Sequence, residues 1–253
     1  MTRIIMHGCN GKMGRMISEI CREDSDAEIV AGIDVTDQKC DSYPVFTDIT
    51  KCDTDADVMI DFSTAKAVDG VIAYCVEKNM PLVLCTTGLS DAQAEKIREA
   101  SERIAILKSA NMSLGINTVF ELLEKAVKAL GNAGFDIEIV EKHHNQKLDA
   151  PSGTALALAD VMNQAMDMAY GYKFDRSGER KKREPDEIGI SAVRGGTIVG
   201  EHEVIFAGRD EVIEIKHTAY SRSVFGKGAI EAAKFLHGKE AGMYDMRKLV
   251  QNR

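Results

Sequence analysis

The sequence predicts an α/β fold in two parts: a parallel sheet covered by helices on both faces, then an α+β region on a mixed or antiparallel sheet. Three observations carry this. Short apolar runs alternate with helical stripes through the first half, and alternation with short connections builds a parallel sheet. After Asn111 the alternation stops, and several strand-like pieces gather in one later stretch. Two of those pieces are joined by a hairpin signal, which makes antiparallel neighbours.

Arg3–His7 reads as the first strand and Gly8–Gly14 as a glycine loop. Met13, Met16, Ile17, Ile20 and Cys21 then share one helical face. Ile29–Asp34 and Val58–Phe62 are the next strands, and Val68, Val71, Ile72, Cys75 and Val76 repeat the helical stripe. Leu82–Thr86 is a fourth strand. Ser90 and Gln93 then form a capping-box signature, and Ile104–Leu107 is a fifth strand. A long helix is expected over Asn117–Leu130, ended by Gly131 and Gly134. Ile137–His143 is extended. A helix begins at Ser152, whose hydroxyl is the natural cap, and carries Leu158, Val161, Met162, Ala165 and Met166 on its face. Asp175–Glu184 is a solvated, charged loop. Ile188–Val193, His202–Phe206 and Val212–Thr218 are strands, the last two joined by Ala207-Gly-Arg-Asp210, and Gly228–Leu236 returns to helix.

Composition narrows the function classes. The chain has 253 residues, 44% apolar and 28% charged, as in ordinary globular proteins. A net charge of −8 argues against non-specific nucleic-acid binding. No apolar run approaches a membrane span, and the N-terminus runs into a strand without a signal-peptide layout, so a cytoplasmic protein is expected. Cys9, Cys21, Cys40, Cys52, Cys75 and Cys85 contain no C-x-x-C pair. They read as reduced, mostly buried thiols, with Cys9 and Cys85 the two expected to meet a ligand.

Gly8-Cys-Asn-Gly-Lys-Met-Gly14 follows a strand and opens a helix, the layout of a Rossmann-like dinucleotide loop. Its glycines let a pyrophosphate approach the helix N-terminus. Asn10 replaces the usual middle glycine, a change its tolerance of left-handed backbone angles would allow. Asp34, twenty positions after Gly14, stands where an acid meets a ribose hydroxyl. It would repel a 2′-phosphate, and Val35 and Thr36 supply no Arg, so NADH is favoured. Lys12 and Lys39 keep NADPH open. Asp61-Phe-Ser-Thr64 and Cys85-Thr-Thr-Gly88 lie at strand C-terminal ends, where open α/β sheets bind ligands. For Ser63 and Thr64, helix capping is an equal alternative.

The densest chemistry lies in Glu141-Lys-His-His-Asn-Gln-Lys-Leu-Asp-Ala-Pro-Ser-Gly-Thr-Ala155. His143 and His144 alternate along an extended segment, so they face opposite ways and serve different roles. Lys147 adds a cation. Ser152, Gly153 and Thr154 open a helix whose terminus attracts anions. The combination describes a site that holds a small acid and donates a proton. No Gly-x-Ser-x-Gly elbow, local Cys nucleophile or H-E-x-x-H is present, and the motif is a poor metal set, so no metal is expected.

Glu141-x-His-His-x-x-Lys-x-Asp-Ala-Pro-Ser-Gly-Thr-Ala155 resembles the signature of the dihydrodipicolinate reductase (4-hydroxy-tetrahydrodipicolinate reductase) family. The resemblance spans the chain. Ala110-Asn-Met-Ser-x-Gly115, Arg194-x-Gly-x-x-x-Gly-x-His202, Ser221-Arg-x-x-Phe-x-x-Gly228 and Lys239-x-x-Gly-x-Tyr-x-Met246 are similar to further family segments. It implies a homotetramer of lysine and diaminopimelate biosynthesis that reduces a cyclic dicarboxylate to tetrahydrodipicolinate with NADH or NADPH. Residues 1–113 and 222–253 would form the dinucleotide-binding domain. Residues 114–221 would bind substrate and form the tetramer, so that hydride and proton come from different domains. By position, His143 is the proton donor and Lys147 the second catalytic cation. His144 holds one carboxylate, and Ser152, Gly153 and Thr154 the other. The cofactor would be held by Gly8, Asn10, Gly11, Lys12, Met13 and Gly14 with Asp34. Phe62, Ser63, Thr86, Thr87 and Gly88 would join them from the two turns, and Ala110, Asn111 and Met112 from the crossover. A nucleotide-sensing regulator and another two-domain amino- or keto-acid dehydrogenase are the competing readings. Intact His143 and Lys147 argue against the first, and the Pro-Ser-Gly-Thr cradle against the second.

Overall fold

The structure, a computed structural model, describes residues 1–39 and 41–252; Cys40, one of the six expected thiols, lies outside the described residues, as does Arg253. The chain divides into two compact units, Met1–Leu114 with Ser223–Arg253, and Gly115–Arg222. The elements begin with β1 (Thr2–His7), α1 (Lys12–Arg22), β2 (Ala27–Ile33), β3 (Val45–Phe46), β4 (Val58–Asp61), α2 (Val68–Glu77), β5 (Leu82–Leu84), α3 (Asp91–Ser101) and β6 (Ala105–Leu107). They continue with α4 (Leu114–Leu130), β7 (Asp136–His143), α5 (Gly153–Ala165), β8 (Gly171–Lys173), β9 (Glu187–Arg194), β10 (Gly200–Ala207) and β11 (Val212–Ala219). The last three are α6 (Ser223–Leu236), β12 (Gly242–Tyr244) and α7 (Met246–Gln251).

In the first unit seven parallel strands run in the order β12-β6-β5-β4-β1-β2-β3. Successive side chains on a strand point to opposite faces, so β1 sends Ile4 and Met6 into one core and Ile5 into another. Ile17 of α1 and Ile230 and Leu236 of α6 cover the first face. Val71 and Cys75 of α2 and Ile97 of α3 cover the second. The strand order reverses between β1 and β4, which leaves a crevice at their C-terminal ends.

The second unit carries a mixed sheet, β11-β10-β7-β9-β8, antiparallel from β11 to β7 and parallel from β7 to β8. Ile137 and Ile139 of β7, Ile188 and Ile190 of β9, and Val204 and Phe206 of β10 pack against α4 and α5. Alternation then assigns the same face to Glu141 and His143, both buried. His202 of β10 lies opposite Glu141 in the register. The apolar face of the sheet thus turns polar over its last two steps, where α5 begins.

Several elements differ from the sequence expectation. Helix α4 starts at Leu114 rather than Asn117, because Gly115 sits in the first turn, where backbone N–H groups need no helical partner. Helix α6 starts at Ser223, and Gly226 and Gly228 lie inside it. They permit close packing instead of marking its start: a Cβ on Gly228 would collide with the Met112 carbonyl. Strands β3, β8 and β12, of two or three residues, are too short to show a period. Of the two thiols expected to meet a ligand, Cys9 is buried, beside Gly32 and Tyr43, and Cys85 is partly exposed. No helix among the described residues is long and apolar enough to cross a membrane.

Because the Met112 carbonyl belongs to backbone and cannot swing aside, Gly228→Ala is expected to destabilise the protein by about 1–3 kcal/mol. A lowered urea midpoint at unchanged slope is the expected reading; a wild-type midpoint would mean that α6 shifts freely.

Candidate functional site

In the first unit the glycine loop is shaped by its neighbours. Gly8 takes φ +84°, and a Cβ there would lie 2.6 Å from the Phe62 carbonyl. On Gly14 a Cβ would collide with the carbonyls of Gly8 and Cys9, so this glycine lets α1 pack close to the loop. Asn10 does not adopt a left-handed backbone. It acts through its polar groups instead: its N–H donates to Asp34 Oδ2 at 2.8 Å, and Nδ2 donates to the Thr36 carbonyl at 3.1 Å. Asp34 Oδ1 accepts from Val35 N–H at 2.8 Å.

A cavity of about 430 Å³ opens beside this loop. Gly8, Asn10, Gly11, Asp34, Phe62 and Ser63 line it, together with His7 and Arg15, which the sequence reading passed over. Both flank the fingerprint directly, and that adjacency was the available signal. Arg15 donates from Nε to the Asn10 carbonyl at 3.0 Å, so the cavity does contain an arginine although Val35 and Thr36 supply none. Ser63 Oγ is buried without a hydrogen-bond partner, and Thr64 makes no side-chain cap. A second cavity of about 260 Å³ is lined by Thr86, Thr87, Gly88, Lys108 and Ala110. Lys12, Met13, Gly14, Asn111 and Met112 line neither cavity. Lys12 is exposed, Met13 reaches toward Gly226, and Asn111 Oδ1 accepts from Ser113 N–H at 2.8 Å.

Asp61 ties three strand ends together. It is 0% exposed, with His7 Nδ1 2.6 Å from Oδ1 and Thr86 Oγ1 donating to Oδ2 at 2.6 Å. The Thr86 hydroxyl is therefore engaged by protein.

In the second unit the polar end of the sheet face centres on Glu141, also 0% exposed. Its Oε2 accepts from Arg194 Nη1 at 2.7 Å and lies 2.7 Å from His143 Nδ1. Its Oε1 accepts from Arg194 Nη2 at 2.6 Å and Ser152 N–H at 2.9 Å. Burial works to raise this carboxyl, but hydrogen bonds from Arg194, His143 and Ser152 outweigh it and hold the group below the usual carboxylate range. Ser152 caps α5, its Oγ accepting from Ala155 N–H at 3.2 Å and sharing a 3.0 Å hydrogen bond with His202 Nε2. The His202 ring meets that of His143 edge-on, 5.1 Å between centroids. Burial, then the neighbouring His143, push His202 down from 6.5 to about 4.

His144 follows the end of β7 and is partly exposed, unlike buried His143. Lys147 Nζ pairs with Asp149 Oδ1 at 2.8 Å. That bond, reinforced by the Gly153 N–H, holds Asp149 below the usual carboxylate range. His143, Lys147, Ser152 and Gly153 are thus gathered around one loop and one helix start. Glu141, Arg194 and His202 join them, although spacing alone had given them no role. Among the described residues no group of three or more His, Cys, Asp or Glu is placed to hold a metal.

Comparison with known proteins gives matches over both units. Residues 2–112 match the family described as "Dihydrodipicolinate reductase, N-terminus", and residues 115–250 the one described as "Dihydrodipicolinate reductase, C-terminus". The chain is 51% identical over 251 residues to the 4-hydroxy-tetrahydrodipicolinate reductase of Caldanaerobacter subterraneus, covering 99% of each. It is 52% identical over 246 residues to that of Clostridium tetani, covering 97% of this chain and 96% of the relative. Among solved structures, the dipicolinate-bound dihydrodipicolinate reductase from Paenisporosarcina has the same fold, with a TM-score of 0.83 at 24% identity over 98% of this chain and 99% of the other.

His202 stays neutral in the fold to well below its ordinary value. Stability present above pH 6.5 is therefore expected to decline as pH falls toward 4, by at most about 3 kcal/mol from this ring. Urea unfolding of His202→Gln should lose correspondingly less over that window; equal losses in both proteins would show that the ring takes up its proton without penalty.

Proposed function

The chain belongs to the dihydrodipicolinate reductase family and is an oxidoreductase, and on that premise we propose that it reduces 4-hydroxy-tetrahydrodipicolinate to tetrahydrodipicolinate in lysine and diaminopimelate biosynthesis. One observation carries the reading: a buried, carboxylate-tethered histidine lies with a lysine and a helix N-terminus around one short loop. Such a set binds an anion and delivers a proton. The dipicolinate held by the Paenisporosarcina relative supports a cyclic dicarboxylate as substrate.

The reduced dinucleotide, when bound, supplies the hydride. The first unit fits it: the glycine loop is cradled where side chains would clash, and Ser63 Oγ stands buried and unpartnered in the cavity wall. Gly8, Asn10 and Gly11 would hold the pyrophosphate, and Asp34 the ribose hydroxyls. Each Asp34 oxygen already accepts one backbone N–H, which fixes the carboxylate and leaves a lone pair on each. That charge favours NADH. Arg15 in the same cavity moderates the preference without abolishing it.

In the second unit His143 Nδ1 is committed to Glu141, so Nε2 is the nitrogen that donates the proton. Lys147 and the Gly153 N–H now share the Asp149 carboxylate. A substrate carboxylate would take the place of Asp149, steadied by Thr154, while His144 meets the second carboxylate. Ser152 acts indirectly, because its N–H and Oγ are already used by Glu141, Ala155 and His202. A cytoplasmic homotetramer, assembled through the second unit, completes the reading.

NADH and NADPH oxidation should both be measured with substrate formed in situ from pyruvate and aspartate semialdehyde. Turnover with a lower KM for NADH is expected; no turnover with either would sink the assignment. Lys147→Ala should lower kcat/KM by about 100-fold or more at unchanged NADH affinity, and wild-type turnover would remove its role. Asp149→Asn should tighten dipicolinate binding about two- to five-fold by weakening the competing ion pair; weaker binding would mean that Asp149 instead orders the loop.

A further inference from the structure

We propose that Glu141 is the positioning residue of the second unit: one buried carboxylate sets the tautomer and direction of the His143 ring and, through Ser152, the start of the α5 anion site. This rests on the reading of His143 as proton donor. Four donors meet the two oxygens: His143 Nδ1 and Arg194 Nη1 at Oε2, Ser152 N–H and Arg194 Nη2 at Oε1, all within 2.6–2.9 Å. A carboxylate offers about four lone-pair directions. All four are taken, so Glu141 cannot itself receive substrate and acts only through the groups it holds.

The arrangement does not follow from packing. On β7 the same face carries Ile137 and Ile139, and another aliphatic residue at 141 would continue the core. Burying a carboxylate with its guanidinium is roughly neutral or unfavourable against such a replacement. What the pair adds is direction. An ionised carboxylate only accepts, so His143 must carry its hydrogen on Nδ1, leaving Nε2 as the exchanging nitrogen. Arg194 neutralises the charge, and its Nη2 also donates to the Asp149 carbonyl at 2.7 Å. That bond ties the loop bearing Lys147 to the same hub. On the other side the His202 ring is held neutral and bonded to Ser152, so no second cation competes for Glu141 there. Proton donor, lysine loop and helix start are thereby fixed to one carboxylate.

The test is a double-mutant cycle in the full-length enzyme with Glu141→Gln and His143→Gln, reading kcat, substrate KM, NADH dissociation constant and the pH profile of kcat. Glu141→Gln is expected to lower kcat about 100-fold or more and displace the pH profile, with NADH affinity within two-fold. In kcat the double variant should be no slower than His143→Gln alone, because both changes remove the same proton delivery. The disturbed α5 anion site should raise substrate KM in Glu141→Gln and in the double variant but not in His143→Gln. A further loss of kcat in the double variant, an unchanged KM in Glu141→Gln, or near-normal kcat in Glu141→Gln overturns the proposal. Should His143→Gln itself keep wild-type kcat, the proton-donor reading falls first, a distinct result. Against misfolding of Glu141→Gln, nitrogen NMR of the wild-type histidines reads the neutral His143 tautomer directly. Hydrogen on Nδ1 is expected, and hydrogen on Nε2 overturns the proposal.

Discussion

A carboxylate denied all contact with water must be matched donor for donor, and the second unit is organised around that requirement at Glu141. The strand that carries it is apolar for its first inward steps and polar for its last two. The polar steps are tolerable only because β9 ends in Arg194 beside them and α5 begins with Ser152 above them. Removing any one donor would leave a buried charge short of partners, which is costlier than never burying it. The site geometry is therefore over-determined: parallel pairing of β7 with β9 sets His143 opposite Arg194, and antiparallel pairing with β10 sets Glu141 opposite His202.

The first unit solves a related problem with the same residue types. Asp61 ends β4 opposite His7 at the end of β1, and Thr86 closes the group after β5. In both units a buried acid holds a histidine where a strand leaves the core. Aliphatic side chains would pack there without difficulty, but they would fix no direction. A hydrogen-bonded carboxylate fixes the ring plane and leaves one ring nitrogen for chemistry or binding.

How much of this is legible in sequence depends on whether the information is local. Period-2 and period-3.6 patterns locate the longer strands and helices, because each pattern is completed within one element. The Ser90 capping box forms as its spacing predicts, with Gln93 closing it. Glycine is harder to interpret, since the same residue can end a helix, as Gly134 does with φ +83°, or sit inside one to admit a carbonyl, as Gly228 does. Arg194 and His202 lie 53 and 61 positions from Glu141 and carry no local mark of their role; only strand pairing brings them together. Asn10 shows the opposite failure. Its tolerance of unusual backbone angles is a true property of the residue but not the one in use, since its amide groups bridge to Asp34 and Thr36.

On the proposed function, Asp149 links the architecture to ligand exchange. A helix N-terminus and a lysine concentrate positive potential, and some anion or water must answer it at all times. Here a residue of the same loop does so, on an exposed side chain that can swing away without unfolding anything. An exposed ion pair is worth under about 1 kcal/mol in most settings, so on the proposed reading a ligand carboxylate would displace it at little expense. The deeper pair, Glu141 with Arg194, has no such freedom. On the proposed reading the division is functional: the group that yields to substrate is held weakly at the surface, and the carboxylate that must not move is buried with its acceptor directions filled.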